Sequence, residues 1–296
     1  MPELPEVETV RRQLTAALPG EKIASIKVLH PRAVRRNNGP SLRSKNNPLL
    51  GAEVTGINRR GKFLWLTFDS PFALVIHLGM SGQVLLPSAP ASAPRHLRVR
   101  FEFVANEIEM HFVDQRTFGY LAIEELTSDR FHGDFPDGLI PLSVAHIAPD
   151  VQEILSGKTP TYSIAEVIER IREKKSEIKR VLLNQEVLSG VGNIYADEGL
   201  WSSTIHPEVL ACDLSEDEVR ALLLALGAVM DRATEAGGSS IDEQWKQVNG
   251  KSGYFNLELN AYGNAGEPCP RCGTLIQRLR FMNRSSHLCP KCQKKR

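Results

Sequence analysis

Met1-Pro-Glu-Leu-Pro-Glu-Val-Glu-Thr-Val-Arg-Arg12 opens the chain and decides how the rest is read. Pro5 suits the first turn of a helix, where its missing N–H is no loss. Val7, Val10, Leu14 and Leu18 then recur at helical spacing and give one apolar stripe, so a helix leads the fold. Pro2 follows the start methionine. A small second residue usually lets Met1 be trimmed, which would leave a free proline amine. An α-amino group has a pKa of roughly 8 against roughly 10.4 for lysine, so a useful fraction is neutral and nucleophilic near neutral pH. Such an amine attacks a sugar or carbonyl carbon and forms an iminium. Glu3 and Glu6 fall beside it, at the positive end of the helix, where a carboxylate serves as general acid or base. The same string also reads as the plain start of an amphipathic helix.

With 296 residues the chain has room for two domains with their own cores. Its 42% hydrophobic and 24% charged residues are ordinary for a globular protein. No apolar run reaches membrane-spanning length, and the start lacks a basic-then-apolar signal pattern, so the expected location is the cytoplasm. The formal net charge of +1 does not announce nucleic acid, but its distribution does. Arg271, Arg278, Arg280, Arg284, Lys291, Lys294, Lys295 and Arg296 close the chain with no acidic residue among them. A second cluster, Arg170, Arg172, Lys174, Lys175, Lys179 and Arg180, is mixed with Glu. Either run also fits a solvated face.

The first half has a period of two. Lys22–Leu29, Val54–Phe68 with a turn at Arg60-Gly61, Ala73–Leu78, Leu97–Phe103 and Ile108–Phe112 read as strands, mostly half-buried and antiparallel, of a sandwich or barrel. The stretches from Pro31 to Pro48 and from Pro87 to Pro94 read as loops. Arg59-Arg60-Gly61-Lys62 places basic groups at a turn, as an exposed hairpin also would. Met80, between Gly79 and Gly82, suits a wedge into a base stack or a side chain folded back into the core. Asp114-Gln115-Arg116-Thr117-Phe118-Gly119 reads as a local ion pair or as a fork donor beside an aromatic.

From about Ser163 the period becomes helical: Ile164, Val167, Ile168 and Ile171, then Ile178, Val181, Leu182 and Leu183. Ser189-Gly190-Val191-Gly192-Asn193 precedes a helix expected over Asp197–Ser202. Its glycines let a phosphate approach N–H groups, and Asn193 adds a side-chain donor. Residues 216–236 form a further helix, ended by Gly237-Gly238. Of five cysteines, Cys212 stands alone and reads as a small core residue. The others make two Cys-x2-Cys knuckles, Cys269/Cys272 and Cys289/Cys292, sixteen residues apart. That spacing closes a four-sulfur shell around one structural zinc. A disulfide reading is weak in a cytosolic chain. Strands around Leu275–Phe281 and Ser286–Leu288 would form a hairpin with Arg284 near its tip.

The string Pro2-Glu3-Leu4-Pro5-Glu6-Val7-Glu8 resembles the start of formamidopyrimidine-DNA glycosylases. Arg60–Lys62, His77–Gly82, Asp114–Gly119, Gly190–Ala196 and the four-cysteine finger agree with that family in order, so the resemblance spans the chain. It departs at Ile147-Ala148-Pro149-Asp150 and at Asn283-Arg284-Ser285-Ser286, which leaves hinge geometry and tip flexibility open. The resemblance implies an α+β fold: an antiparallel β-sandwich with a leading helix over 1–148, a linker at 149–160, a helix–two-turns–helix domain with a lesion-capping loop over 161–260, and a zinc finger over 261–296. It implies a bifunctional base-excision enzyme, acting as a monomer on damaged double-stranded DNA in the nucleoid. Oxidised purines would be excised through a Pro2 Schiff base, and the strand cut by β- and δ-elimination. Glu3, Lys62 and Arg284 would share the catalysis. Glu6, His77, His96, Lys174, Lys175 and Asn193 would contact DNA, and Met80, Arg116 and Phe118 would fill the void. Two other readings are a sister enzyme for oxidised pyrimidines, whose start is usually Pro-Glu-Gly-Pro, and an inactive DNA-binding zinc protein.

Overall fold

The structure, a computed structural model, describes residues 2–36, 39–87, 92–104, 108–238, 248 and 259–295. It forms two compact units. One takes Met1–Arg130, Phe135–Ala145 and Thr234–Asn256; the other takes Phe131–Asp134, His146–Ala233 and Leu257–Arg296.

The first unit begins with α1 (Leu4–Thr15), whose first turn holds Pro5 and whose inner face buries Val7, Val10 and Leu14. Among the described residues nine strands follow: β1 (Ile23–Val28), β2 (Val54–Arg60), β3 (Phe63–Phe68), β4 (Ser70–His77), β5 (Gly82–Leu85), β6 (Leu97–Phe103), β7 (Glu109–Asp114), β8 (Tyr120–Ser128) and β9 (Leu139–Pro141). They pair into an antiparallel four-stranded sheet, β1-β6-β7-β5, and an antiparallel five-stranded sheet, β2-β3-β4-β8-β9. Val99, Phe101, Met110 and Phe112 of the first sheet share one core with Leu64, Leu66, Leu74, Ile76, Leu121 and Ile123 of the second. This is the expected sandwich. The alternation in β6, with Leu97, Val99, Phe101 and Phe103 buried between half-exposed neighbours, is the period-two signal itself.

Three strands were not expected. β8 is buried without alternation from Tyr120 to Glu124, as a strand covered on both faces is. β5 and β9 are only four and three residues long. Val248 returns to the sandwich: Gln13 Oε1 accepts its N–H at 2.8 Å and its carbonyl accepts from Leu86 N at 2.7 Å. The rest of the expected lesion-capping loop, residues 239–256, lies outside the described residues.

The second unit holds α2 (Val151–Leu155), α3 (Ile164–Arg172), α4 (Ile178–Leu182), α5 (Asn193–Ser202), most of α6 (Glu216–Glu235) and the hairpin β10 (Gln277–Phe281) with β11 (Arg284–Leu288). Asp150 caps α2, accepting from the N–H groups of Gln152 and Glu153 at 3.0 and 3.1 Å, so the stretch after Pro149 is not plain coil. Ser163 caps α3 in the same way. α5 starts at Asn193, four residues before the expected Asp197, because Gly192 is its N-cap. Cys212 is half-exposed on a 3₁₀ turn, which corrects its reading as a core residue: the buried member of that turn is Ala211. Among the described residues no helix is long and apolar enough to cross a membrane.

The turn at Arg59-Arg60-Gly61-Lys62 is not an exposed basic hairpin. Arg60 is fully buried, as is Asp129, and they meet through two hydrogen bonds of 2.8 and 2.6 Å while the Phe135 ring lies 5.0 Å from the guanidinium. Removing one partner would strand a charge in the core. Asp129→Ala is therefore expected to destabilise the sandwich by about 3–5 kcal/mol. Urea denaturation followed by circular dichroism measures it, as a midpoint well below that of the parent protein.

Candidate active site

In the first unit the start of α1 is sunk into the protein. Pro2, Glu3 and Glu6 are all buried. Glu3 is the N-cap of α1, and its N–H donates to the Glu6 carboxylate at 2.8 Å while the Glu3 carboxylate accepts from the Glu6 backbone N–H, a reciprocal capping box. A Cβ on Gly238, which sits at φ +103°, would come 3.0 Å from Glu6 Cγ, so only glycine fits that turn comfortably. Two carboxylates thus stand where helix dipole and chain start meet.

Glu8, one turn further, is a residue the sequence did not single out. It binds Arg11 at 2.8 Å, Arg12 at 3.0 Å and the buried Arg59 at 3.0 Å. Burial pushes its carboxyl up, but the guanidinium groups of Arg11 and Arg59 outweigh that and bring it down to about 2. Arg59 also donates to Gly61 O at 3.0 Å, so the same residue ties α1 to the turn that presents Lys62. Lys62 is half-buried directly after Gly61, whose φ of 55° makes the turn.

His77 ends β4 with its ring 4.9 Å from Phe63 and stacked on Tyr120 at 5.4 Å. Burial and the positive charges of Lys62, Arg36 and Arg35 lower its pKa to about 4. Its Nδ1 accepts from Gly79 N–H at 3.1 Å, so the neutral ring carries its proton on Nε2 and offers an uncharged donor. Met80 is half-buried beside it, not fully exposed, and Arg116 and Phe118 are exposed on the neighbouring loop with the guanidinium 4.8 Å from the ring. His96 is half-buried, at φ 66°, and its carbonyl accepts from Asp114 N at 3.0 Å.

In the second unit Asn193 stands at the start of α5 and donates through Nδ2 to Ser285 O at 3.0 Å. Lys174 and Lys175 are exposed in the segment between α3 and α4. The lysine of that cluster that is built into the protein is Lys179: fully buried, 2.6 Å from Asp197 and 3.2 Å from Ser285 O. The sequence shows Lys179 only as one more charge in a run. Asp197 also accepts from Ser286 Oγ at 2.9 Å and His287 N at 2.8 Å, which fixes β11 on α5. Arg284 is the exposed first residue of β11, beyond a tip in which Met282 has φ 54°.

The four cysteine sulfurs lie within 4.8 Å of one another, and Cys272 Sγ is 3.4 Å from Cys289 Sγ. Zn–S bonds of about 2.3 Å in a tetrahedron put sulfurs about 3.8 Å apart, so this shell fits one zinc with no open ligand position. Trp201 Nε1 adds an N–H bond to Cys269 Sγ at 3.4 Å.

Comparison with known proteins agrees with each part. The model of the formamidopyrimidine-DNA glycosylase N-terminal domain matches residues 1–121, that of the H2TH domain residues 155–244, and that of the zinc finger found in FPG and IleRS residues 266–295. A formamidopyrimidine-DNA glycosylase of Acidothermus cellulolyticus is 47% identical over 99% of this chain and 97% of its own length. The chain belongs to the formamidopyrimidine-DNA glycosylase family. One from Corynebacterium glutamicum is 48% identical over 100% of both chains. A variant of the Lactococcus lactis enzyme in complex with DNA containing Fapy-dG superposes with a TM-score of 0.81 at 32% identity, over 99% of this chain and 100% of that one. MutM bound to DNA containing carbocyclic 8-oxo-G gives 0.78 at 32% identity, over 99% and 100%. The finger of this family member carries one structural zinc.

His77 and Glu8 act on stability in the same direction. His77 is held below its ordinary 6.5, so its contribution is complete above pH 6.5 and is lost as pH falls toward 4. Glu8 is held below 4.5, so its share is lost between pH 4.5 and 2. Melting temperature against pH should lose its upper slope in His77→Gln and its lower slope in Glu8→Gln. Zinc is tested separately. Elemental analysis should find one zinc per chain, and Cys272→Ser should lose it together with protease resistance of residues 266–295.

Proposed function

We propose that this chain is a bifunctional DNA glycosylase and AP lyase of base-excision repair, which removes oxidised purines from duplex DNA and then cuts the strand. The observation that carries the reading is the burial of Pro2 with two carboxylates, Glu3 and Glu6, at the N-terminus of α1. A site this dry keeps competing water from an amine nucleophile, and carboxylates beside it are suited to moving its protons. Support for the substrate class comes from the relatives of known structure, which are complexes with DNA carrying Fapy-dG, 8-oxo-G or an abasic site.

With Met1 removed, the Pro2 nitrogen attacks C1′ of the damaged nucleotide. The C1′–N9 bond breaks and the base leaves with its electron pair, taking a proton. Opening of the sugar gives an iminium between Pro2 and C1′, and a proton delivered to O4′ balances the step; Glu3, next to Pro2 in the chain, is assigned to supply it. The iminium acidifies C2′–H, so loss of that proton expels the 3′ phosphate. A second elimination expels the 5′ phosphate, and the gap carries phosphate at both ends. Lys62, in reach of the same turn as Arg59, is assigned proton transfer during strand cleavage. His77, Asn193, Arg284, Lys174 and Lys175 are assigned to phosphates, and His96 and Glu6 to positioning of DNA. Met80, Arg116 and Phe118 fill the space of the everted base, where an apolar wedge and a planar fork donor are suited to a stack and an orphaned partner.

The domain reading goes with this: a catalytic sandwich, a linker near 149–160, a helical domain to about 260 and a zinc finger after it, acting as a monomer on nucleoid DNA. Pro2→Gly should reduce both 8-oxoguanine excision and the borohydride-trapped covalent adduct by roughly a hundredfold or more, as loss of a nucleophile does. Full retention of both in protein of verified N-terminal mass would remove Pro2 from that role.

A further inference from the structure

The three side chains assigned to the void sit on two loops, residues 78–82 and 114–119, and something has to hold those loops in one shape. Asp114 is fully buried and its carboxylate serves both of them. Oδ1 accepts from Ser81 Oγ at 2.5 Å and from Arg116 N at 3.1 Å, and Oδ2 accepts from Gly119 N at 2.7 Å. The carbonyls of the same loop point the other way and meet Arg35. Its guanidinium donates to Thr117 O at 3.2 Å, Phe118 O at 2.8 Å and Gly119 O at 2.9 Å. A fourth bond, to Arg32 O at 2.7 Å, anchors Arg35 to its own segment.

The remaining groups are also met. Arg98 donates to Asp114 O at 2.7 Å and to Gln115 O at 3.3 Å, and Thr117 Oγ1 to Arg116 O at 2.8 Å. The two loops touch closely: a Cβ on Gly79 would lie 2.6 Å from both Phe118 C and Gly119 N. Thr117 is kept at φ 53°, which a non-glycine residue adopts only when its surroundings over-determine it.

We propose that Arg35 is a positioning residue for base eversion: with Asp114 it forms a clamp of opposite polarity that makes the two loops a single rigid wedge before DNA arrives. The inference rests on the void-filling reading of Met80, Arg116 and Phe118 and adds what prepares them. A wedge that is already ordered drives into the stack without also having to freeze its own backbone at that step. Lysine cannot replace arginine here, because an ammonium is a point charge and cannot span three carbonyls as a planar fork does.

The test uses the full-length enzyme and two substrates. One is a duplex with 8-oxoguanine beside 2-aminopurine, whose fluorescence reports unstacking. The other carries a preformed abasic site, which has no base to evert. Arg35→Lys and Arg35→Met are both expected to slow single-turnover excision by about tenfold or more, with the 2-aminopurine rise slowed in parallel and abasic-site cleavage within about twofold of the parent. Arg35 is exposed, so the fold should survive, and an unchanged melting temperature checks it. Full activity in Arg35→Lys would show that charge alone matters and would overturn the clamp, as would equal losses on both substrates. Phe118→Ala separates the two ideas. If it excises normally, the wedge reading falls and the inference with it; if it is slow while Arg35→Met is normal, the inference alone falls.

Discussion

A charge removed from water is costly unless another charge and enough hydrogen bonds meet it, and in this protein that constraint decides where the working groups stand. Glu8 meets Arg59, Arg60 meets Asp129, and Lys179 meets Asp197. None of these ions is among the residues assigned to the proposed reaction. Each fixes a stretch of backbone beside a residue assigned to the proposed chemistry. Arg59 joins α1 to the turn before Lys62. Asp197 joins the helix headed by Asn193 to the strand headed by Arg284. The desolvation cost is met once, on folding, and the return is geometry that does not have to be found again when DNA binds.

This is also why the sequence is legible in some places and not in others. Periodicity reports what a segment does to its own faces, so α1, β6, α3 and most of the sandwich could be read from apolar spacing. The zinc shell could be read because its ligands come in close pairs, and tetrahedral sulfur leaves few other ways to use them. The capped start of α1, with Glu3 and Glu6 in its first turn, could be read from Pro5 and the apolar spacing behind it.

What escaped depends on partners far along the chain. Arg60 looks like an exposed turn residue until Asp129, 69 positions later, is brought against it. Lys179 looks like one charge of a basic run until Asp197 and Ser285 close around it. β8 escaped for a related reason. A strand covered on both faces has no alternation to show, and its signal is lost among other apolar runs. Cys212 erred in the opposite direction, since composition favours burying a lone thiol while the local turn buries Ala211 in its place.

The zinc finger shows how little of a small element is stable by itself. A two-stranded hairpin such as β10–β11 is marginal in water, and its tip carries the exposed Arg284. Two fixations act on it from different sides. The four sulfurs close its base, and Asp197 takes the Ser286 hydroxyl and the His287 N–H along β11. Gln293 extends the hold past the second knuckle, donating to Ile205 O at 2.8 Å while its own carbonyl accepts from Cys289 N at 2.9 Å. The metal alone would make a folded finger free to swing. The buried carboxylate alone would hold one strand of an unclosed hairpin. Only the two together give Arg284 a place relative to Asn193, because Ser285, next to Arg284, is the residue whose carbonyl Asn193 and Lys179 both reach.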